Sequence, residues 1–429
     1  MNICIIGVGY VGLVTGTCLA DFGHNLICHD IDETKISSLK AGKVPFFEPE
    51  LSNLIKKNLQ SKTIEFTTDL KYSIQNSDLI MICIGTPSNQ NGEADISQIE
   101  DVSKKIGSLI NDYKVIAIKS TVPVGTNRKV EKIIRENLIN PVDFDVVSNP
   151  EFLREGTAIY DMFNSHRIII GSNSKRAEKV IKDMYLPFDK PIYITTRESA
   201  ELIKYASNCF LATKISYINE IANFCEKVGA NILEVAEGMR LDPRIGSMFL
   251  NAGIGFGGSC FPKDLKALLS FGKEIGYDFK IIEKTLEVNE LQKILPIHKL
   301  ESILGSLNNR TICLWGLSFK PYTDDIRESP ALDIIDTLLE KGAKIKTYDP
   351  LSMNNVKKLY PQLKYEDDCY KSAESADGII VATEHEEFKN IDFIKIKSLA
   401  HLPIIVDGRN MLDCLYLRSI GFEYFGIGH

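Results

Sequence analysis

Residues 2–12 read NICIIGVGYVG. A short apolar run, Asn2 to Ile6, leads into Gly7, Gly9 and Gly12 at the spacing G-x-G-x-x-G. After a strand and ahead of a helix, that spacing marks a dinucleotide-binding turn. The first glycine permits the tight turn, the second lets a pyrophosphate approach the backbone, and the third lets helix pack closely on strand. Tyr10 and Val11 open the helix, whose free amides and partial positive charge suit phosphate. Working outward, LICH (26–29) is the next strand, and Asp30 at its end stands where a carboxylate binds a ribose 2′-hydroxyl. An acid there disfavours a 2′-phosphate, so NAD is expected over NADP. Lys35 is near enough in sequence to reach the same ribose.

Further strands follow at LIMICI (79–84), VIAIK (115–119), DVVS (145–148), Arg167–Ile170 and Ile192–Thr195, with helical patterns between most of them. This alternation predicts a doubly wound α/β sheet. Thr86-Pro87 and Ser120-Thr121-Val122-Pro123 follow two of the strands, at carboxyl ends where such sheets bind ligands; each also reads as a simple turn. From Glu198 to Val228 there is no proline or glycine, which predicts one long helix ending at Gly229. A helix of that length serves as a spine or a dimer surface, or packs wholly inside one subunit. Beyond about residue 300 the alternation restarts. TICLW (311–315) precedes Gly316, a helix runs from about Ser329 to Lys341, and IKTYD (345–349), GIIVAT (378–383) and PIIVDG (403–408) complete a second sheet. The expected fold is α/β: two Rossmann-like doubly wound domains, 1–196 and 301–429, joined by a central helical domain, 197–300, that carries the spine helix.

Composition narrows the function. Of 429 residues, 57 are acidic and 50 basic, a net charge of −7, which argues against nucleic acid as a partner. The apolar stretches fall short of the roughly 20 residues a membrane span needs. The opening MNICIIGVGY has no charged run before its motif, so a cytoplasmic location is expected. Ten scattered cysteines without a C-x-x-C pair read as reduced thiols, and seven isolated histidines give no metal site.

The segment GIGFGGSCFPKD (253–264) carries the chemistry. Its glycines are expected to leave backbone open to a ligand. Pro262 suits the first turn of a helix, so Cys260 sits at a helix N-terminus and gains thiolate character; the other nine cysteines read as buried. Asp264 lies four residues on. Lys204 and Asn208 share one face of the long helix. A lysine there is ordinarily a solvated charge. Asn149-Pro150-Glu151-Phe152 follows strand 145–148, with Glu151 and Glu155 on one face if the segment is helical, or simply capping at the surface. Oxidising an alcohol to a carbonyl needs a base and a nicotinamide but no cysteine. A thiolate makes sense if an aldehyde is oxidised further, through a thiohemiacetal and then a thioester that water hydrolyses. Lysine and asparagine donors would stabilise the oxyanions. Two NAD⁺ would be consumed.

The motifs G-V-G-Y-V-G-L, G-T-P, S-T-V-P-V-G-T, N-P-E-F-L-R-E-G, K-Y-A-S-N, G-F-G-G-S-C-F-P-K-D and G-L-S-F-K-P occur in this order. In this they resemble the nucleotide-sugar 6-dehydrogenases of the UDP-glucose/GDP-mannose dehydrogenase family, over essentially the whole chain. The resemblance implies an NAD domain, a dimerising helix, a uridine-nucleotide domain, a homodimer, and oxidation of UDP-glucose to UDP-glucuronate. It implies Cys260 as nucleophile, Lys204 and Asn208 as oxyanion and substrate donors, Asp264 acting with water near Thr121, and Glu151 in thioester hydrolysis. The general base stays open among Asp264, Thr121 and Lys204. Cofactor contacts implied besides the glycine turn, Asp30 and Lys35 are Thr86, Thr121, Glu155, Lys263 and Arg327. Substrate contacts implied are Glu151 to Glu155 (with Phe152, Leu153 and Arg154), Phe249, Asn251, Gly253, Gly257, Phe319, Lys320 and Arg409, with Arg244 supplied by the partner subunit. Phe46-Phe47-Glu48-Pro49 departs from the usual tyrosine before Glu-Pro and is expected to lie apart from the chemistry. Three rivals remain: a sister enzyme for another nucleotide sugar, a two-electron β-hydroxyacid-type dehydrogenase needing no cysteine, and a non-catalytic NAD-sensing module.

Overall fold

In β1 (Asn2–Ile6), Ile3 and Ile5 join one hydrophobic layer while Cys4 and Ile6 join another. Side chains alternate across a strand, so a strand buried on both faces reads as one continuous apolar run. That is why the run was visible in the sequence. The computed structural model describes residues 1–89 and 91–429. They divide into two compact units, residues 1–207 with 266–275, and residues 208–265 with 276–429.

The first unit holds β1, β2 (Asn25–His29), β3 (Ile64–Thr67), β4 (Leu79–Ile82), β5 (Lys114–Ile118), β6 (Phe144–Ser148), β7 (Ile168–Gly171) and β8 (Ile192–Thr195). Their order across the sheet is β3-β2-β1-β4-β5-β6-β7-β8. Strands β1 to β6 pair in parallel; β7 joins β6 antiparallel through Ser148 and Gly171, and β8 runs parallel to β7. The order reverses between β1 and β4, the place where open α/β sheets bind nucleotides. Strand β3 was not foreseen, because IEFT is short and alternates exposed with buried residues.

The second unit holds β9 (Thr311–Trp315), β10 (Lys344–Tyr348), β11 (Lys364–Tyr365), β12 (Gly378–Val381), β13 (Ile404–Asp407) and β14 (Glu423–Phe425), in the order β11-β10-β9-β12-β13-β14 and all parallel. The helix Pro330–Glu340 starts as its sequence requires, with the Ser329 hydroxyl capping the Ala331 amide and Pro330 at the first position. The two-residue β11 and three-residue β14 lie at the sheet edges and left no periodic signal.

The spine helix runs from Arg197 to Val228, 32 residues, and stops at Gly229, whose φ of +73° suits a left-handed C-terminal residue. The boundary between the units falls within it, after Ser207. No helix among the described residues is long and apolar enough to cross a membrane.

Candidate active site

The glycine turn follows β1 as expected. A Cβ on Gly12 would stand 1.9 Å from the Gly7 carbonyl oxygen, whereas one on Gly9 would meet nothing within 4 Å among the described residues. The third glycine is thus consumed by packing, and the second faces open space. Among the described residues, Gly9 caps the helix Tyr10–Asp21 without any side-chain hydrogen bond, so its first amides are not met by a capping side chain there. Asp30 accepts from the Val8 amide at 3.0 Å, the Asp32 amide at 3.1 Å and the Lys35 ammonium at 3.0 Å. Burial alone would raise its pKa, but Lys35 and the two amides outweigh burial and hold the carboxyl below its usual value. Lys35 therefore pairs with the Asp30 carboxylate directly. An open glycine, uncapped amides and an ionised acid fit a pyrophosphate and a ribose diol.

The loops after β4 and β5 are joined by the Thr86 hydroxyl, which donates to the Thr121 carbonyl at 2.7 Å. The spine helix holds the far side of this turn. Glu201 accepts from the Gly125 amide at 2.7 Å and the Asn127 amide at 2.8 Å, and so caps the helix Thr126–Glu136 from a distance.

One turn further along the spine helix, Lys204 departs from the solvated reading. It is 3% exposed, and its Nζ donates to Glu151 Oε1 at 2.9 Å. Glu151 is also buried and accepts from the Leu153 amide at 2.5 Å. Burial would raise the Glu151 carboxyl; Lys204, the Leu153 amide and Lys119 reverse the sign, so it stays below its usual range. Residues 151–154 are not helical, so Glu151 and Glu155 do not share a helix face; Glu151 turns inward instead. Phe152 carries Lys204 5.5 Å and Arg167 4.0 Å from its ring centroid. Arg154 forks onto Asp161 at 2.9 and 2.6 Å, which commits its guanidinium to the protein. Leu153 packs against the unit's core, and Glu155 is half-buried in the turn that follows.

In the second unit, Cys260 stands just ahead of the helix Phe261–Glu274, and its carbonyl accepts from the Asp264 amide at 2.8 Å. Eight of the ten cysteines are buried; Cys260 and Cys414 are partly exposed, so one of the nine thiols expected to be buried is not. Burial pushes the Cys209 thiol up to about 12, an inert contrast to a cysteine at a helix N-terminus. Asp264 is 1% exposed and accepts from Asn208 Nδ2 at 2.6 Å and from Lys263 Nζ at 2.6 Å.

The glycine-rich stretch corrects the sequence reading. Residues 252–258 are buried, and the space beside the glycines is filled by protein. A Cβ on Gly257 would lie 1.9 Å from the Glu328 carbonyl oxygen, one on Gly258 2.7 Å from the Phe319 ring, and one on Gly255 2.6 Å from Asn289. Gly253 has both backbone groups taken, its amide by Asn219 and its carbonyl by Gln292, each at 2.8 Å. These glycines let other chain segments close on the backbone behind Cys260, and the expectation of open backbone at Gly253 and Gly257 fails for that reason. Arg409 likewise spends Nε on the Ala382 carbonyl at 2.8 Å and Nη1 on Gly255 at 3.0 Å, leaving its buried Nη2 without a hydrogen-bond partner among the described residues.

The remaining predicted residues are more dispersed. Arg327 forks onto Asp325 at 2.9 and 2.6 Å, and Lys320 lies 5.4 Å from the Phe319 ring. Phe249 adopts a left-handed φ of +63° and packs near Phe261. Arg244 is exposed and paired with Asp242, and Asn251 accepts from Arg240. Sequence reasoning missed Glu48, which accepts from the Gly156 and Ala158 amides, and Glu201. Glu48 lies in Phe46-Phe47-Glu48-Pro49, a stretch expected to lie apart from the chemistry; Glu201 gave no signal, since a carboxylate on a helix looks solvated until its partner is known.

Comparison with known proteins matches the chain in three stretches to models of one family: the UDP-glucose/GDP-mannose dehydrogenase NAD-binding domain over residues 1–189, its central domain over 198–291 and its UDP-binding domain over 313–414. The chain is 48% identical to a UDP-glucose 6-dehydrogenase of Bacillus subtilis (strain 168), covering all of this chain and 93% of that one. It is 46% identical to a UDP-glucose 6-dehydrogenase of Rhizobium meliloti (strain 1021), covering all of this chain and 99% of that one. Its fold superposes on a UDP-glucose dehydrogenase from Pyrobaculum islandicum with a TM-score of 0.94 at 34% identity, covering 100% and 97% of the two chains. An open nucleotide turn and family matches along nearly the whole length lead to one conclusion: this chain belongs to the UDP-glucose/GDP-mannose dehydrogenase family and opens with that family's NAD-binding domain.

Proposed function

We propose that this chain is a UDP-glucose 6-dehydrogenase that oxidises the C6 alcohol to the carboxylate of UDP-glucuronate through covalent intermediates on Cys260. The observation that carries the reading is the setting of Cys260. It is a partly exposed thiol at a helix N-terminus with a buried Asp264–Asn208 pair one turn behind it, in a chain whose other thiols are almost all buried. Full-length likeness to enzymes of that name supports the choice of sugar.

When bound to the glycine turn and Asp30, NAD⁺ supplies the hydride acceptor at each of two oxidations. The first takes the C6 hydroxyl to an aldehyde, with its proton passing to a base among Asp264, Thr121 and Lys204. The Cys260 thiolate then adds to the aldehyde carbon, and Lys204 and Asn208 donate to the resulting oxygen. Loss of the second hydride from that thiohemiacetal gives a thioester. Water held by Glu151 or Asp264 attacks the carbonyl carbon, the C–S bond breaks, and Cys260 leaves as thiolate. Lys204 suits this work because it is held, buried, on an ionised partner and needs no reorganisation as charge develops on the substrate.

The reading divides the chain into an NAD-binding part (1–196), a central helical part (197–300) and a UDP-sugar part (301–429), in the cytoplasm. It also takes the enzyme as a homodimer. Phe210, Tyr217, Phe224 and Val228 leave an exposed apolar stripe along the spine helix, near the segment that carries Arg244. Apolar residues at heptad spacing on an uncovered helix face suit a second copy. Phe224→Asp should yield monomers with raised KM for the sugar; a wild-type chain that light scattering finds monomeric ends this part of the proposal.

The direct test is NADH formed per UDP-glucose consumed, with GDP-mannose and UDP-N-acetylglucosamine in parallel. Two NADH per UDP-glucose are expected, and Cys260→Ser should lose steady acid formation by about a thousandfold or more. One NADH, or an undiminished Cys260→Ser, sinks the covalent route. Turnover of another sugar alone moves the enzyme to a sister substrate.

A further inference from the structure

Glu48 belongs to no step of this chemistry. It is nonetheless 6% exposed, and among the described residues its partners are hydrogen-bond donors far along the chain: the Tyr10 hydroxyl, the Gly156 amide at 2.7 Å and the Ala158 amide at 2.7 Å. A buried carboxylate without a cation is costly unless several donors converge on it. Here they come from two functional segments.

Tyr10 is the first residue of the helix after the glycine turn, and the Phe46 ring packs on it at 4.9 Å. Gly156 and Ala158 end the loop that carries Glu151 and Glu155, and the Gly156 amide lies within 3.0 Å of Tyr10 Oη as well. Burial, reinforced by the Glu48 charge, raises the Tyr10 hydroxyl well above its usual range, so it remains a neutral donor. The other end of the loop is tethered independently. The Asn149 amide donates to Ile118 at 2.9 Å, and Glu151 is held by Lys204. The stretch Phe152 to Glu155 is thus strung between Lys204 on one side and Glu48 on the other.

We infer that Glu48 is a positioning residue that ties the nucleotide turn to the loop carrying Glu151 and Glu155, so that cofactor binding and the setting of that loop change together. The inference deepens the proposed function and rests on it for its sugar readout. Its mechanical basis is a single rigid carboxylate shared by both segments, so that a shift of the Tyr10 helix start displaces the acceptor of the Gly156 and Ala158 amides.

The full chain carrying Tyr10→Phe, Glu48→Gln or both tests it by three readouts: NAD⁺ affinity without sugar, hydrogen exchange at Gly156 and Ala158, and kcat against KM with UDP-glucose. Tyr10→Phe removes the hydroxyl, and with it the second acceptor of the Gly156 amide, but leaves both amide bonds to Glu48. Glu48→Gln keeps the size but turns a donor toward two donors. Glu48→Gln should speed exchange at both amides by about tenfold, weaken NAD⁺ by about threefold or more, and lower kcat by about tenfold. Wild-type exchange at these amides should slow on adding NAD⁺. The double variant should fall short of the product of the single effects. Unchanged NAD⁺ affinity and kcat per folded molecule, or independent effects of the two changes, would overturn the inference and leave Glu48 a packing residue. If Glu48→Gln does not fold, Tyr10→Phe decides: no change in NAD⁺ affinity or Gly156 exchange overturns it. A wild-type chain inert on UDP-glucose sinks the proposed function instead, while the NAD⁺ titration and exchange still judge Glu48.

Discussion

The two sheets repeat one local frame and use it in opposite ways. After β1, the Gly7 amide donates to the His29 carbonyl and the Val8 amide to Asp30; after β9, the Gly316 amide donates to Tyr348 and the Leu317 amide to Asp349. In the first unit a helix starts at once, at Tyr10, and Asp30 keeps part of its surface. In the second, fourteen positions separate Gly316 from the helix that begins at Pro330, and Asp349 is fully buried. Its carboxylate accepts from the amides of Leu317, Ser318, Leu351 and Ser352 and pairs with His385 at 3.0 Å. One carboxylate has acceptor capacity left for a ribose. The other is saturated and holds the turn that presents Phe319 and Lys320. A shared backbone frame therefore does not predict a shared ligand; the number of donors already on its acid does.

The largest test of that contrast is Asp349→Ala. It strands four amides and a histidine in the interior and should destabilise the second unit by about 3–5 kcal/mol, read by urea unfolding. A change below about 1 kcal/mol would mean that the cluster is not structural. Asp30→Ala should behave differently. NAD⁺ affinity should fall about 10- to 100-fold, as expected for a lost hydrogen bond to a charged group, with the melting temperature little moved. Equal loss of stability in the two variants would erase the distinction between the frames.

A smaller effect lies in the acid limb. For Asp349, burial would raise the pKa, but His385 and the amides outweigh it, so the carboxyl is held well below its usual value. A carboxyl lowered by folding contributes stability that is fully present above its unfolded value, about pH 4, and is lost as pH falls through the folded value. The wild-type chain should therefore lose stability progressively below about pH 4, and Asp349→Asn should flatten that slope. Asp30→Asn should leave it nearly intact, because Asp30 is closer to solvent and its ion pair is screened. Acid titrations of the two variants that superimpose would contradict this.

What was legible in the chain was local. The apolar runs of β1, β4 and β5 became strands because their apolar residues are buried on one face or the other, and the glycine turn, Asp30, the end of the spine helix at Gly229 and the Ser329-Pro330 helix start all depend on neighbours within a few positions. Tertiary structure decided the rest. Lys204 is buried only because Glu151, 53 positions away, meets it; Glu48 matters only because Gly156 and Ala158, 108 and 110 positions away, converge on it. The glycines before Cys260 proved to be filled by Glu328, Phe319 and Asn289, which no spacing within 253–258 could disclose. A turn or a periodicity is encoded in the segment that forms it, whereas the cost of burying a charge or removing a Cβ depends on which distant atoms arrive beside it.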